Sequence, residues 1–206
     1  MDKRKTLLGE DHSDTLTSMA NLAATYWNQG QWSAAEQLEL QVMEKGKTLL
    51  GEDHPDTLSS MANFAATYGN QRWWSEAEQL ELQVMEKTKT LLEEDHPDTL
   101  TSMANLAVTY RNQGWWSEAE QLQLQVMEKT KTLLGEDHPD TLRSMANLAA
   151  TYRNQGQWSE AEQLELQAME KRKTFLGEDH PDTLGSMANL AISYGSLIAS
   201  SVGSNS

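Results

Sequence analysis

Glu52-Asp53-His54-Pro55-Asp56-Thr57-Leu58 is the stretch on which the fold turns, because it comes back. The same seven residues begin at Glu94, Glu136 and Glu178, and a version with Ser13 in place of the proline begins at Glu10. Each step is 42 residues. His12, His54, His96, His138 and His180 keep that step, as do Tyr26, Tyr68, Tyr110, Tyr152 and Tyr194. Residues 93–134 and 135–176 match at 34 of 42 positions. Self-similarity at a period of 20–50 residues marks a repeat array, in which each unit buries its apolar face against its neighbours.

Outward from the quoted stretch, each unit reads as two helices. Helix A starts within Asp53-His54-Pro55-Asp56: Asp53 is expected to cap, Pro55 fits the first turn and Asp56 suits the positive helix end. In the first unit it spans about Asp14 to Gln29, with Leu16, Met19, Leu22, Ala23 and Tyr26 at helical spacing. Gly30, Gly114 and Gly156 supply a left-handed stop. Helix B is expected to open on a capping box, Ser33 with Glu36, repeated at Ser75–Glu78, Ser117–Glu120 and Ser159–Glu162. Its core stripe is read as Ala35, Leu38, Val42 and Leu49, widened by Leu40, Met43 and Leu50. Gly51, Gly135 and Gly177 close it. Arg72 and Glu93 break the two glycine columns, at a cost of about 1 kcal/mol each where the backbone is left-handed. No window alternates with period two, so no strand is expected.

The expected fold class is therefore all-α, a right-handed α-solenoid of helix-turn-helix repeats. Residues 1–8 read as a partial helix B, because Lys3–Leu8 matches Lys171–Leu176. Repeats follow at 9–50, 51–92, 93–134 and 135–176, then helix A of a fifth at 177–194. Residues 195–206 read as a small-residue tail, a weak cap or disordered. Opening inside a repeat is what a piece of a longer array would show.

Composition bounds the function. Sixteen basic and 31 acidic residues give a net charge of −15, which argues against nucleic acid and against anionic membranes. No cysteine is present, which removes disulfides, thiolate metal sites and cysteine nucleophiles and fits a reducing compartment. A cytoplasmic location is expected. The N-terminus has no apolar region of a secretory signal. Each histidine stands among acids, as His54 does among Glu52, Asp53 and Asp56. Successive loops about 10 Å apart cannot converge on one ion, so these read as helix-start turns and not as metal ligands. No glycine-rich phosphate loop and no nucleophile–base pair is visible, so no enzyme activity and no cofactor are expected.

Met19-Ala20-Asn21-Leu22-Ala23, Tyr26, Gly30, Trp32 and Ala35 sit at the spacing of the tetratricopeptide repeat, a helix–turn–helix unit. His-Pro-Asp-Thr-Leu, Asn-Leu-Ala and Ala-Glu-Gln-Leu resemble the 42-residue class found in kinesin light chains. They look closest to the arrays at the C-termini of fungal nucleotide-binding immune-type receptors, whose nucleotide-binding module is absent here. An excised piece of such a receptor and a consensus design would share this pattern. The resemblance covers about residues 3–194. It implies a protein-interaction module with a peptide groove on the A-helix face turned away from the core. The positions expected to form a carboxylate clamp in some members carry alanine here, such as Ala20 and Ala24.

With about 100° per residue and Thr17 at zero, Asn21 falls near 40° and Asn28 near 20°, while Met19, Leu22 and Tyr26 lie near 140–200°. On this outer face the copies differ. The Thr17 position reads Thr17, Ser59, Thr101, Arg143 and Gly185; its flank reads Trp27, Gly69, Arg111, Arg153 and Gly195; the Gln31 position reads Gln31, Trp73, Trp115 and Gln157. Two readings stand, relaxed constraint at solvated positions and tuning of ligand contacts, since aromatics and arginine are enriched at binding hot spots. Asn21, Asn63, Asn105, Asn147 and Asn189 form an unchanging column, although asparagine is a poor helix-interior residue. The resemblance implies that such a ladder hydrogen-bonds an extended peptide backbone; bonding between helices, or inheritance by duplication, is the other reading. Arg111, Arg143 and Arg153 make repeats 3–4 locally basic, which suits an acidic ligand segment. Trp32, Trp74, Trp116 and Trp158 read as core packing under the A–B turn, and the methionines as gap-fillers. Self-association through the array ends is the structural alternative to peptide binding.

Overall fold

The computed structural model describes residues 6–203, with side chains to residue 198. All regular structure among them is helical. The A helices are α1 (Ser13–Asn28), α3 (Pro55–Asn70), α5 (Pro97–Gln113), α7 (Pro139–Asn154) and α9 (Pro181–Gly203), and the B helices are α2 (Trp32–Leu49), α4 (Trp74–Leu92), α6 (Trp116–Leu134) and α8 (Trp158–Leu176). The all-α repeat class and the 42-residue period are as the sequence implies. The chain forms two compact units, Met1–Ser102 and Met103–Ser206, with the division inside α5.

In the first unit α1 packs on α2, α2 on α3 and α3 on α4. Its core gathers Met43, Leu58, Met61, Phe64 and Val84, with Tyr68 and Leu80 against it. In the second unit α6 packs on α7, α7 on α8 and α8 on α9, around Leu142, Met145 and Ala168 with Met127 and Leu164. Ala35, Ala65, Ala77, Ala107, Ala119, Ala149 and Ala161 are fully buried, so side-chain bulk does not hold the helix axes apart at these crossings.

Helix starts differ from expectation in two ways. The A helices are capped by histidine and not by the aspartate before it: Nδ1 of His12, His54, His138 and His180 accepts from the backbone N–H two residues on, at 3.1–3.2 Å. Asp53 instead pairs with Lys87, and Asp137 with Lys171 at 2.5 Å. The aspartates before His12, His54 and His138 thus ion-pair with a lysine of a B helix. Among the described residues no group of three or more such side chains could hold a metal ion.

The B helices do not open on the serine capping box. α2 begins at Trp32 with Gln31 as its cap residue, without a side-chain cap bond, so Ser33 lies within the first turn. The physical reason is the turn before it. Gln31 N–H donates to the Tyr26 carbonyl and Gly30 N–H to the Trp27 carbonyl, both at 2.9 Å. That double closure around a positive-φ residue ends α1, and Gln31 then leads directly into α2.

The buried seam of α2 is Ala35, Glu39, Met43 and Gly46. Leu40, Leu49 and Leu50, read as core, are exposed. Leu38 and Val42 are half-buried. α9 runs on to Gly203 where a weak cap or a disordered tail was expected at 195–206; no proline interrupts Ser196-Leu197-Ile198-Ala199, and helix propagates through it. Residues 204–206, and residues 1–5 of the expected partial helix B, lie outside the described residues. Residues 6–8 are helical.

Candidate functional site

The column of asparagines lies on the A helices away from the core. Asn21, Asn63 and Asn105 are exposed, and Asn147 and Asn189 half-buried. Each stands two residues after a core methionine, Met19, Met61, Met103 and Met145 being buried, which turns the asparagine outward on the helix. Among the described residues none of the five side-chain amides makes a hydrogen bond.

In the first unit two adjoining hollows open between α1, α2 and α3. One, of about 290 Å³, is lined by Thr17, Ala20, Val42, Gly46, Leu49, Leu50, Ser59 and Asn63 among others. The second, of about 220 Å³, is lined by Ala20, Ala24, Trp27, Asn28, Glu39, Val42, Ser60, Asn63 and Ala66. Thr17, Ser59, Asn63 and Trp27, singled out by sequence, thus meet along one surface. The Thr17 hydroxyl already donates to the Ser13 carbonyl at 3.0 Å. Asn21 lines neither hollow. Thr101 is exposed on α5.

In the second unit Arg143 and Arg153 are engaged within the chain. Arg143 reaches Asp140 at 3.0 Å; both line a hollow of about 430 Å³ with Arg172, Phe175, Leu176 and Asp182. Arg153 turns inward and ion-pairs with Glu165, which also accepts from Ser193 at 2.7 Å. Arg111 is half-buried; desolvation, and then the neighbouring Arg153 charge, lower its pKa. Two of the three arginines expected to make repeats 3–4 locally basic, Arg143 and Arg153, are therefore paired with the chain's own carboxylates.

The tryptophans divide. Trp73 and Trp115 stack on Tyr68 and Tyr110 with ring centroids 5.4 and 5.5 Å apart, the apolar contact that accompanies this helix-end turn. Their exposure is explained by the turn. Trp32 and Trp116 begin B helices and are about two-fifths exposed, at 38% and 41%, so the expected core packing under the turn is partial. Trp27, unlike these, is exposed on a hollow.

Sequence reasoning missed Glu39. It is only 6% exposed, and its Oε2 has no hydrogen-bond partner. Burial pushes its carboxyl above the ordinary value, a contact with Thr67 opposes this, and the Glu36 charge adds to it. The column continues as Glu81, Gln123 and Glu165, all buried. The available signal was position: Glu39 stands four residues after Ala35 and four before Met43, both core residues.

A family model described as tetratricopeptide repeat matches residues 15–56, 57–98, 99–140 and 141–182. The period equals that read from the sequence, with the unit boundaries set six residues later. Among solved structures, the kinesin light chain nearly identical TPR-like repeats of Podosopora anserina are 32% identical, cover 90% of this chain and 88% of theirs, and superpose with a TM-score of 0.77. A single-substitution form of the same repeats is also 32% identical, covering 88% and 85%, at 0.77. BtubC (BKLC) from P. vanneervenii shares the fold at 18% identity, covering 89% of this chain and 73% of its own, with a TM-score of 0.76. No curated protein matches.

Proposed function

The chain belongs to the tetratricopeptide repeat family, and from that premise we propose that it is a non-catalytic interaction module holding an extended peptide, or an extended segment of a protein, along its A-helix face. The observation that carries this reading is the asparagine column: amides at one position of every A helix, none with a hydrogen bond among the described residues. An amide offers donor and acceptor together, which suits a peptide backbone. Hollows beside Asn63 give side chains somewhere to go. Thr17, Ser59, Thr101 and Trp27 then select among ligand side chains. Panning a random-peptide display library on the wild type and on a variant with Asn63, Asn105 and Asn147 all changed to alanine tests this. Clones retained only by the wild type support it; equal retention removes the asparagines from the site.

Leu184 and Ile192 are exposed on α9, which favours a second reading, self-association through that helix. Light scattering over a wide concentration range decides it: a mass constant at 23.1 kDa excludes it, and a rising mass supports it. The relationship to fungal immune-type receptor arrays, with this chain as the recognition part, is a further element of the proposal. Among the described residues no helix is long and apolar enough to cross a membrane.

A further inference from the structure

Two copies of one position resolve the same chemical problem differently. In repeat 4 the buried carboxylate is Glu165, and the chain supplies its cation, Arg153, from the A helix of the same repeat. In repeat 1 the corresponding residues are Glu39 and Trp27. Glu39 is as deeply buried, at 6% against 3% for Glu165, yet among the described residues no cationic side chain pairs with it and Oε2 is unpartnered. Where repeat 4 has a guanidinium, repeat 1 has an open hollow of about 220 Å³ walled by Trp27, Ala20, Ala24 and Ala66, with Asn28 and Asn63 at its polar edge.

We propose that this hollow is a specificity pocket for a ligand's arginine side chain, whose guanidinium pairs with Glu39 and lies against the Trp27 ring. The inference rests on the peptide-groove reading, since Asn63 borders both. Three physical points carry it. A buried carboxylate with an unfilled oxygen is costly and gains most from a charge-assisted, two-pronged donor. An indole face is the best aromatic partner for a cation. A chain of net charge −15 draws cationic ligands towards it. In repeat 4 a guanidinium anchored at the position equivalent to Trp27 reaches the carboxylate equivalent to Glu39. Arginine is favoured over lysine because its planar fork can satisfy two oxygens at once.

The test uses an N-acetylated, C-amidated alanine heptapeptide with one central arginine, and the same peptide with citrulline, which keeps the shape and removes the charge. Both are titrated into the full chain while the backbone amides of α1 and α2 are followed by NMR. The arginine peptide should bind at least about tenfold more tightly than the citrulline peptide, as expected of one charge-assisted contact. The preference should fall to about one in Glu39→Gln and in Trp27→Arg. Both substitutions are tolerable by precedent within the chain: Gln123 is buried in the same column, and Arg153 occupies the Trp27 position of repeat 4. Asn63→Ala should weaken both peptides alike. Equal binding of the two peptides to the wild type, or a preference that survives Glu39→Gln, overturns the pocket. If Asn63→Ala still weakens both in that case, the groove reading survives alone; if neither peptide binds the wild type, both readings fall.

Discussion

Glu93 shows most sharply what a single residue contributes. It has φ 72° and ψ 168°, the same conformation as Gly135 at 93° and 164° and Gly177 at 92° and 165°. This is not the ordinary left-handed helical region but the extended mirror region that only glycine adopts freely, where another residue costs roughly 1–3 kcal/mol. Arg72, at φ 65°, occupies the A–B turn, where left-handed backbone costs about 1 kcal/mol. Glu93→Gly should therefore stabilise the chain by about 1–3 kcal/mol, and by more than Arg72→Gly. Urea unfolding of both variants checks the ranking; Arg72→Gly giving the larger gain would refute it. The glycine columns made both breaks legible in sequence. The kind of strain was not, because a pattern of glycines does not say which positive-φ region it serves.

Glu39 is the opposite case, a residue whose importance the sequence concealed. A charged side chain in an amphipathic helix is read as solvated, and the stripe was widened to Leu40 and Leu50 instead. Its ionisation gives a pH test. With the folded-state pKa raised above its ordinary value near 4.5, Glu39 contributes stability that is fully present below that value and lost as pH rises through the folded pKa. Glu39→Gln should thus raise the melting temperature at neutral pH, with the gain disappearing near pH 4. A gain independent of pH would mean that the carboxylate is not desolvated.

Among the elements, helix ends were read well in place and less well in mechanism. Proline and glycine put the boundaries within a residue or two, except at the end of α9, which has no such stop and runs on to Gly203. The Ser-x-x-Glu pattern, however, has the same letters whether serine caps a helix or stands inside its first turn. Only the backbone closure at Gln31 distinguishes the two. His54 as the cap of α3 is likewise not legible in the sequence, because aspartate is the commoner capping residue and Asp53 is drawn off by Lys87. His54→Ala should cost about 1 kcal/mol, and His54→Asn should recover most of it. Thermal unfolding of the two variants decides; equal losses would assign the histidine a packing role.

For the whole molecule, the period decides nearly everything about the fold, since each repeat has only its neighbours to pack against. It decides less about function, because copying preserves neutral and selected residues alike. What separates them is which outward side chains are already engaged. Arg143 and Arg153 are held by Asp140 and Glu165, Trp73 and Trp115 by tyrosines, and the asparagine amides by nothing among the described residues. The most direct measurement is an ¹⁵N NMR titration that follows the side-chain amides of Asn21, Asn63, Asn105, Asn147 and Asn189 as a display-selected peptide is added. The account predicts that several of these NH₂ pairs move with the binding curve while the amides of the B helices stay in place. A peptide that binds and leaves all five amide pairs unmoved would contradict it.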